Sequence, residues 1–199
     1  MKSFLQLARF FCLAAISSMA VCGAAAPSIV VSVPDQRLAL VENGVPVAQF
    51  PVSTSKYGVG DRTGSYATPL GSMEIAAKIG DNAPVGSVFK SRVRTGEILS
   101  PNAPGRDPIV TRILWLRGLE ACNAQAYERG IYIHGTPVEN LIGRPASYGC
   151  IRMRSRDVIR LFDATPVGTK IDVVNTPLRR AIVDAYVGQR VRTGRIASN

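Results

Sequence analysis

A chain of 199 residues holds one well-buried domain and is too short for two comfortable ones once any leader is set aside. Its formal net charge of +10, from 24 Lys and Arg against 14 Asp and Glu, attracts polyanions in general. The usual polyanion for a basic chain, nucleic acid, is argued against by the lack of any helix-turn-helix, zinc-finger or aromatic RNA-binding signature.

Residues 1–26 read as a secretory leader: Lys2 and Arg9 give a positive start, Phe10 to Val21 is mostly apolar, and Gly23-Ala24-Ala25-Ala26 supplies small residues for cleavage. A membrane anchor is the alternative, but the apolar stretch falls short of the roughly 20 residues that span a bilayer, and Ser17 and Ser18 interrupt it. Cys22 raises lipid attachment, although Met19-Ala20-Val21 before it suits a lipoprotein signal poorly. Loss of the leader removes Lys2 and Arg9, so the charge falls from +10 to +8. For such an exported basic protein, an anionic wall polymer or a membrane surface fits better than nucleic acid. Two cysteines then remain, Cys122 and Cys150; an oxidising compartment makes a disulfide between them the bland reading, but the surroundings of Cys150 look chemical rather than structural, which leaves Cys122 structural or incidental. With one histidine they cannot supply the four ligands of a structural zinc site.

Ile29 to Val33 and Arg37 to Glu42 are short β-rich runs, and Asn43-Gly44 between apolar runs is a strong hairpin signal that returns the chain through Val45 to Ser53. Lys56 to Pro69 is rich in Gly, Thr, Ser and charge and reads as a long loop, without dinucleotide-fingerprint or P-loop spacing. Ser72 to Lys78 is the next strand. Residues 79–108 lack periodic apolar positions and carry Lys90, Arg92 and Arg94, which predicts a long covering flap. Val110 to Leu116 and Ile131 to His134 are again strands. Ser155 to Ala164 has helical spacing in Val158, Leu161 and Phe162, with Ser155 as N-cap, and Lys170 to Val174 closes the domain as a strand. Residues 176–199 carry Arg179, Arg180, Arg190, Arg192 and Arg195 and read as a basic tail, partly helical. Many short strands with one clear helix imply a mainly β domain, a β-sandwich or a partly open barrel with one or two short helices.

A thiol is a useful nucleophile only as thiolate, so it needs a base or positive field, and donors for the oxyanion formed on the attacked carbonyl. Ser147-Tyr148-Gly149-Cys150-Ile151-Arg152-Met153 offers these elements. Gly149 removes bulk beside the thiol, the backbone N–H groups of Tyr148, Gly149 and Cys150 could face a substrate carbonyl, and Arg152 adds positive charge. The base would be His134, where strand alternation puts Ile131 and Ile133 on one face and Tyr132 and His134 on the other, away from the core. Gly143 and Pro145 in the intervening Gly135 to Ser147 let the chain fold back and bring thiol and imidazole together.

Ile133-His134-Gly135-Thr136 followed by Ser147-Tyr148-Gly149-Cys150-Ile151-Arg152-Met153 resembles the L,D-transpeptidase catalytic domain, the YkuD family of the ErfK-YbiS-YcfS-YnhG type. The turn Tyr66-Ala67-Thr68-Pro69-Leu70-Gly71, the Asn43-Gly44 opening and the strand Ile171 to Val174 extend the likeness over about residues 28–175. The resemblance implies a cofactor-free enzyme of the periplasm or cell envelope acting on peptidoglycan stem peptides. Cys150 would attack at the third residue and release terminal D-alanine. The thioester would pass to an amine of another stem, cross-linking the wall; water as acceptor would give carboxypeptidase activity, and a protein acceptor would be attached to the wall. The resemblance assigns the nucleophile to Cys150, the base to His134, and orientation of the imidazole to the Gly135 carbonyl, with Ser147 as second support. The family usually carries a histidine where this chain has Tyr148, a residue that either packs by its ring or alters acceptor or donor preference. Arg152 either holds a substrate carboxylate or makes a structural salt bridge. A non-catalytic wall-binding module exploiting the basic surface is the reading from a different class.

Overall fold

The structure is a computed structural model that describes residues 26–185 and 187. The expected leader, apart from Ala26, and the end of the basic tail lie outside the described residues.

Ten strands follow in chain order: β1 (Ser28–Ser32), β2 (Arg37–Glu42), β3 (Val45–Pro51), β4 (Gly71–Ile79), β5 (Ser87–Lys90), β6 (Val93–Ile98), β7 (Ile109–Gly118), β8 (Tyr132–Gly135), β9 (Ile151–Met153) and β10 (Lys170–Val174). The β2–β3 turn has positive φ at both Asn43 (52°) and Gly44 (78°), the backbone that a two-residue hairpin needs and that this pair of residues tolerates. Strand neighbours run β3-β2-β1-β10-β4-β7, and β7 also pairs with β8, which pairs in parallel with β9. The two ends of this path then meet. Just past β3, Ser53 exchanges both backbone hydrogen bonds with Arg152 of β9, each at 2.9 Å. The sheet otherwise stays open, a partly open barrel whose ends touch at this isolated bridge.

Alternation fixes what fills it. Ile29 and Val31, Leu38 and Leu40, Met73 and Ile75, Leu114 and Leu116, Ile151 and Met153, and Ile171 and Val173 all belong to one buried cluster, joined by Phe50 and Ile133. Helix α1 (Ser155–Ala164) adds Val158, Leu161 and Phe162 to the same core. Burial of each such side chain favours the fold by roughly 1.5–3 kcal/mol. On the opposite face, Val30, Ala39 and Val41 pack against Leu178, Ala181 and Ile182 of a helix spanning 178–185. The first part of the expected basic tail is thus docked on the barrel.

Three expectations are corrected. Residues 79–108 are not one irregular loop: β5 and β6 form a hairpin there, turning at Ser91 and Arg92 with φ of 49° and 68°, and β5 pairs with β7. Every residue of β6 is exposed, so the segment lacks the inward apolar positions that betray a strand in sequence. The return strand expected over Val45–Ser53 stops at Pro51, with Ser53 kept as the bridge to β9. Ser155 is not the N-cap of α1 but its first residue; the Glu139 carboxylate accepts its backbone N–H at 2.8 Å, an acidic group from another segment at the positive end of the helix.

Candidate active site

Outward positions of β8 and β9 build the site. In the parallel pair, Ile133, His134 and Gly135 are registered with Ile151, Arg152 and Met153. Ile133 and Ile151 point into the core, which turns Tyr132, His134, Cys150 and Arg152 to the outer face. The hairpin segment covers that face: Ala83 and Phe89 pack with Ile113 and Tyr132, and Cys150 lies against this small second core. His134 therefore points away from the main core, as alternation requires, yet is only 5% exposed.

His134 Nδ1 lies 2.8 Å from the Gly135 carbonyl oxygen, which can only accept, so Nδ1 carries the proton and Nε2 keeps the lone pair. The Cys150 thiol donates to the Gly130 carbonyl at 3.4 Å. Burial pushes the imidazole down to about 4, the nearby Arg152 charge adds to the fall, and the Gly135 carbonyl and Asp107 oppose it. Burial pushes the thiol up to about 11 against a backbone hydrogen bond from Tyr132 and the charges of Arg152 and Arg129. At neutral pH the resting site is thus a neutral thiol beside a neutral imidazole.

The loop carrying Cys150 is held from several sides. Ser147 Oγ donates to the Cys150 carbonyl at 2.5 Å and accepts the Gly149 N–H at 3.2 Å. Ser147 accordingly braces the loop that carries Cys150 and shows, among the described residues, no hydrogen bond to His134, and the Gly149 N–H expected to face an oxyanion is engaged with it. Gly149 has φ +118°, and a Cβ there would come within 3.3 Å of both the Ala67 carbonyl oxygen and Ile131 Cδ1, so this position needs glycine. Thr68 Oγ1 donates to the Gly149 carbonyl at 3.0 Å and accepts the Ser55 N–H, clamping the Lys56–Pro69 loop to the cysteine loop.

Arg152 is paired with Asp107 at 2.6 Å, with its side chain 9% exposed, and the other Asp107 oxygen accepts the Thr136 hydroxyl at 2.5 Å. Of the two roles weighed for Arg152, the structure displays the ion pair. Arg129 plays a matching part on the other side: it pairs with Asp61 at 2.8 Å and donates to the carbonyls of Gly60 and Ala67. Cys122 and Cys150 are both free thiols, in keeping with the chemical rather than structural surroundings read for Cys150; Cys122 is exposed and donates to Glu120 at 3.3 Å.

A cavity of about 210 Å³ opens on Cys150, lined by Thr63, Gly64, Tyr66, Arg129, Gly130, Ile131 and Tyr148. Tyr148 is 55% exposed and meets Tyr57 and Tyr66 with ring centroids 5.6 and 6.0 Å apart. Asp107 and Arg129 escaped the sequence reading because each acts on residues distant in the chain and neither sits in a local pattern, while Thr68 was read only as part of the Tyr66–Gly71 turn and not as a clamp on the Gly149 carbonyl.

The family model described as the L,D-transpeptidase catalytic domain matches residues 26–173, and the chain belongs to that family. Over 62 residues it is 39% identical to a probable L,D-transpeptidase YcfS of Escherichia coli K12, a match covering 31% of this chain and 19% of that protein. Over 50 residues it is 44% identical to a putative L,D-transpeptidase YqjB of Bacillus subtilis, covering 25% of this chain and 28% of the relative. The chain thus spans under a third of the length of these curated relatives. A solved L,D-transpeptidase from Mycobacterium smegmatis superposes with a TM-score of 0.48 at 19% identity, covering 76% of this chain and 59% of that one.

Proposed function

We propose that this protein is an exported peptidoglycan L,D-transpeptidase in which Cys150 is the nucleophile and His134 the base. The observation that supports the reading is that Cys150 and His134 share one outer face of the β8–β9 pair, with Cys150 lining the 210 Å³ cavity. Both groups are neutral at rest, so ionisation accompanies attack. His134 Nε2 takes the thiol proton as Sγ bonds to the carbonyl carbon of the third stem residue, and the electron pair of the C=O moves to oxygen. Collapse expels the terminal D-amino acid, whose nitrogen takes the proton from the imidazolium, and leaves a thioester on Cys150. A side-chain amine of a second stem then attacks, gives its proton to His134, and departs as the amide while Sγ is reprotonated. The Gly135 carbonyl holds the imidazole with Nε2 free for both transfers. Polymeric wall, itself anionic in part, suits a chain of this positive charge.

Incubation of purified sacculi with the enzyme, followed by muropeptide analysis, tests the reading. New links between third-position residues are expected. Shortened stems without links would assign carboxypeptidase action by the same acyl-enzyme, and an unchanged profile with intact binding would favour a wall-binding module.

A further inference from the structure

Lys56 is a cation at the cleft that no acidic group neutralises. Arg129 and Arg152 are held by Asp61 and Asp107 in shielded ion pairs, whereas Lys56 is exposed and, among the described residues, makes no ion pair. Its Nζ instead donates to the Tyr148 hydroxyl at 3.1 Å and sits 4.4 Å from the centroid of that ring and 5.2 Å from that of Tyr57. A hydroxyl and two ring faces hold an ammonium in place without cancelling its charge. The hydrogen bond with Tyr148 also keeps the ammonium above the ordinary lysine range, so it stays charged throughout neutral pH. The backbone beneath is fixed as well: the Lys56 N–H donates to the Ser147 carbonyl at 3.2 Å, and Ser55 bridges to Ser147. Tyr148 lines the cavity that opens on Cys150, so the ammonium is hydrogen-bonded to a side chain of that cavity's wall.

We propose that Lys56 and Tyr148 form a carboxylate-binding pair that takes the C-terminal carboxylate of the donor peptide, a reading that rests on the transpeptidase assignment. The residue expelled by Cys150 ends in a free carboxylate one residue beyond the attacked carbonyl, and a charged donor held by a side chain of the cavity wall is the complement it needs. Lys56 has two further N–H protons to offer, and the Tyr148 hydroxyl, having accepted from Lys56, still has its own proton to donate. Arg152 and Arg129 are already matched by carboxylates of the protein, and Arg92, which makes no ion pair among the described residues, is turned to Tyr132 and Trp115 and not to Tyr148. Tyr148 thereby acquires a polar role that ring packing alone does not give it.

The experiment compares stem tetrapeptides ending in a free carboxylate and in a carboxamide, in the wild type, Lys56→Met and Tyr148→Phe, with the rate of iodoacetamide alkylation at Cys150 as a check on the nucleophile. The wild type is expected to favour the acid by about tenfold in kcat/KM, the worth of one charge-assisted hydrogen bond. Lys56→Met should bring that ratio close to one, chiefly through KM for the acid, and Tyr148→Phe should reduce it in part, with alkylation unchanged in both. A ratio retained in Lys56→Met, or an equal loss on both peptides, overturns the inference while leaving the transpeptidase reading standing. Turnover of neither peptide by wild-type protein whose Cys150 still alkylates contradicts that reading and this inference together.

Discussion

His134 is registered across the parallel β8–β9 pair with Arg152, not with Cys150, so the thiol two residues earlier is a diagonal neighbour of the imidazole on the same face. Each group spends its proton on a backbone carbonyl, Cys150 on Gly130 and His134 on Gly135, so the resting site is poised without being ionised. In the mechanism proposed above, the thiol turns from the Gly130 carbonyl toward Nε2 before attack.

Replacing His134 by Gln keeps a polar side chain and removes the proton acceptor. Acylation of Cys150 by a carbapenem, followed by intact mass, is expected to slow by about 10²-fold to 10⁴-fold, with partial recovery at high pH as the thiol ionises unaided. Adding Tyr148→His to this variant should not rescue it, since position 148 faces Lys56 and the exposed tyrosines. Rescue would mean that the base can reside at 148.

The depressed imidazole also makes stability depend on pH. Between its ordinary 6.5 and about 4, the unfolded chain binds a proton at His134 that the folded protein refuses. This contribution to stability is present above pH 6.5 and is lost as pH falls through that window, by up to about 3 kcal/mol. Urea unfolding at pH 7.5 and 5 should show a smaller loss in His134→Gln than in wild type; equal losses would contradict a buried neutral imidazole.

Asp107 joins the base of the covering segment to Arg152 and Thr136. Asp107→Asn leaves the shielded guanidinium without its counter-charge, and a loss of about 1–3 kcal/mol is expected in denaturant unfolding. The Arg152 charge would then act on His134 unopposed, pushing the imidazole lower still. Unaltered stability would mean that the ion pair is dispensable to the fold.

Leu178 is 4% exposed against Val30, Ala39 and Val41, so Leu178→Ala should cost about 2 kcal/mol or more. For the same reason, a truncation meant to test surface tethering by the basic residues belongs after residue 187, not after Asn175, where it would strip the barrel of its helix. Thermal melting of both truncations separates the two effects: only the shorter form should melt early.

Much of this was legible in the sequence where local patterning carried it. The Asn43-Gly44 turn, β2, α1 and β10 fall where turn chemistry and periodicity put them, and the alternation around Ile133 correctly turned His134 from the core. Exposed β6 has no inward apolar positions to reveal it, and three-residue β9 is too short to show a period. The capping of α1 by Glu139, the Arg152–Asp107 pair and the Ser53–Arg152 closure join residues whose separation in sequence hides their contact. The candidate nucleophile and base were readable as residue types, whereas the braces that hold them depend on tertiary proximity.

The measurement that bears most directly on the account is peptide mapping of the acyl-enzyme trapped with a carbapenem, in wild type, Cys150→Ala and Cys122→Ala. One adduct is expected on Cys150 in wild type and Cys122→Ala, and none in Cys150→Ala, whose fold should survive because a thiol-to-methyl change at a half-buried site opens little cavity. An adduct on Cys122, or turnover of stem peptides by folded Cys150→Ala, would contradict the assignment of Cys150 as nucleophile.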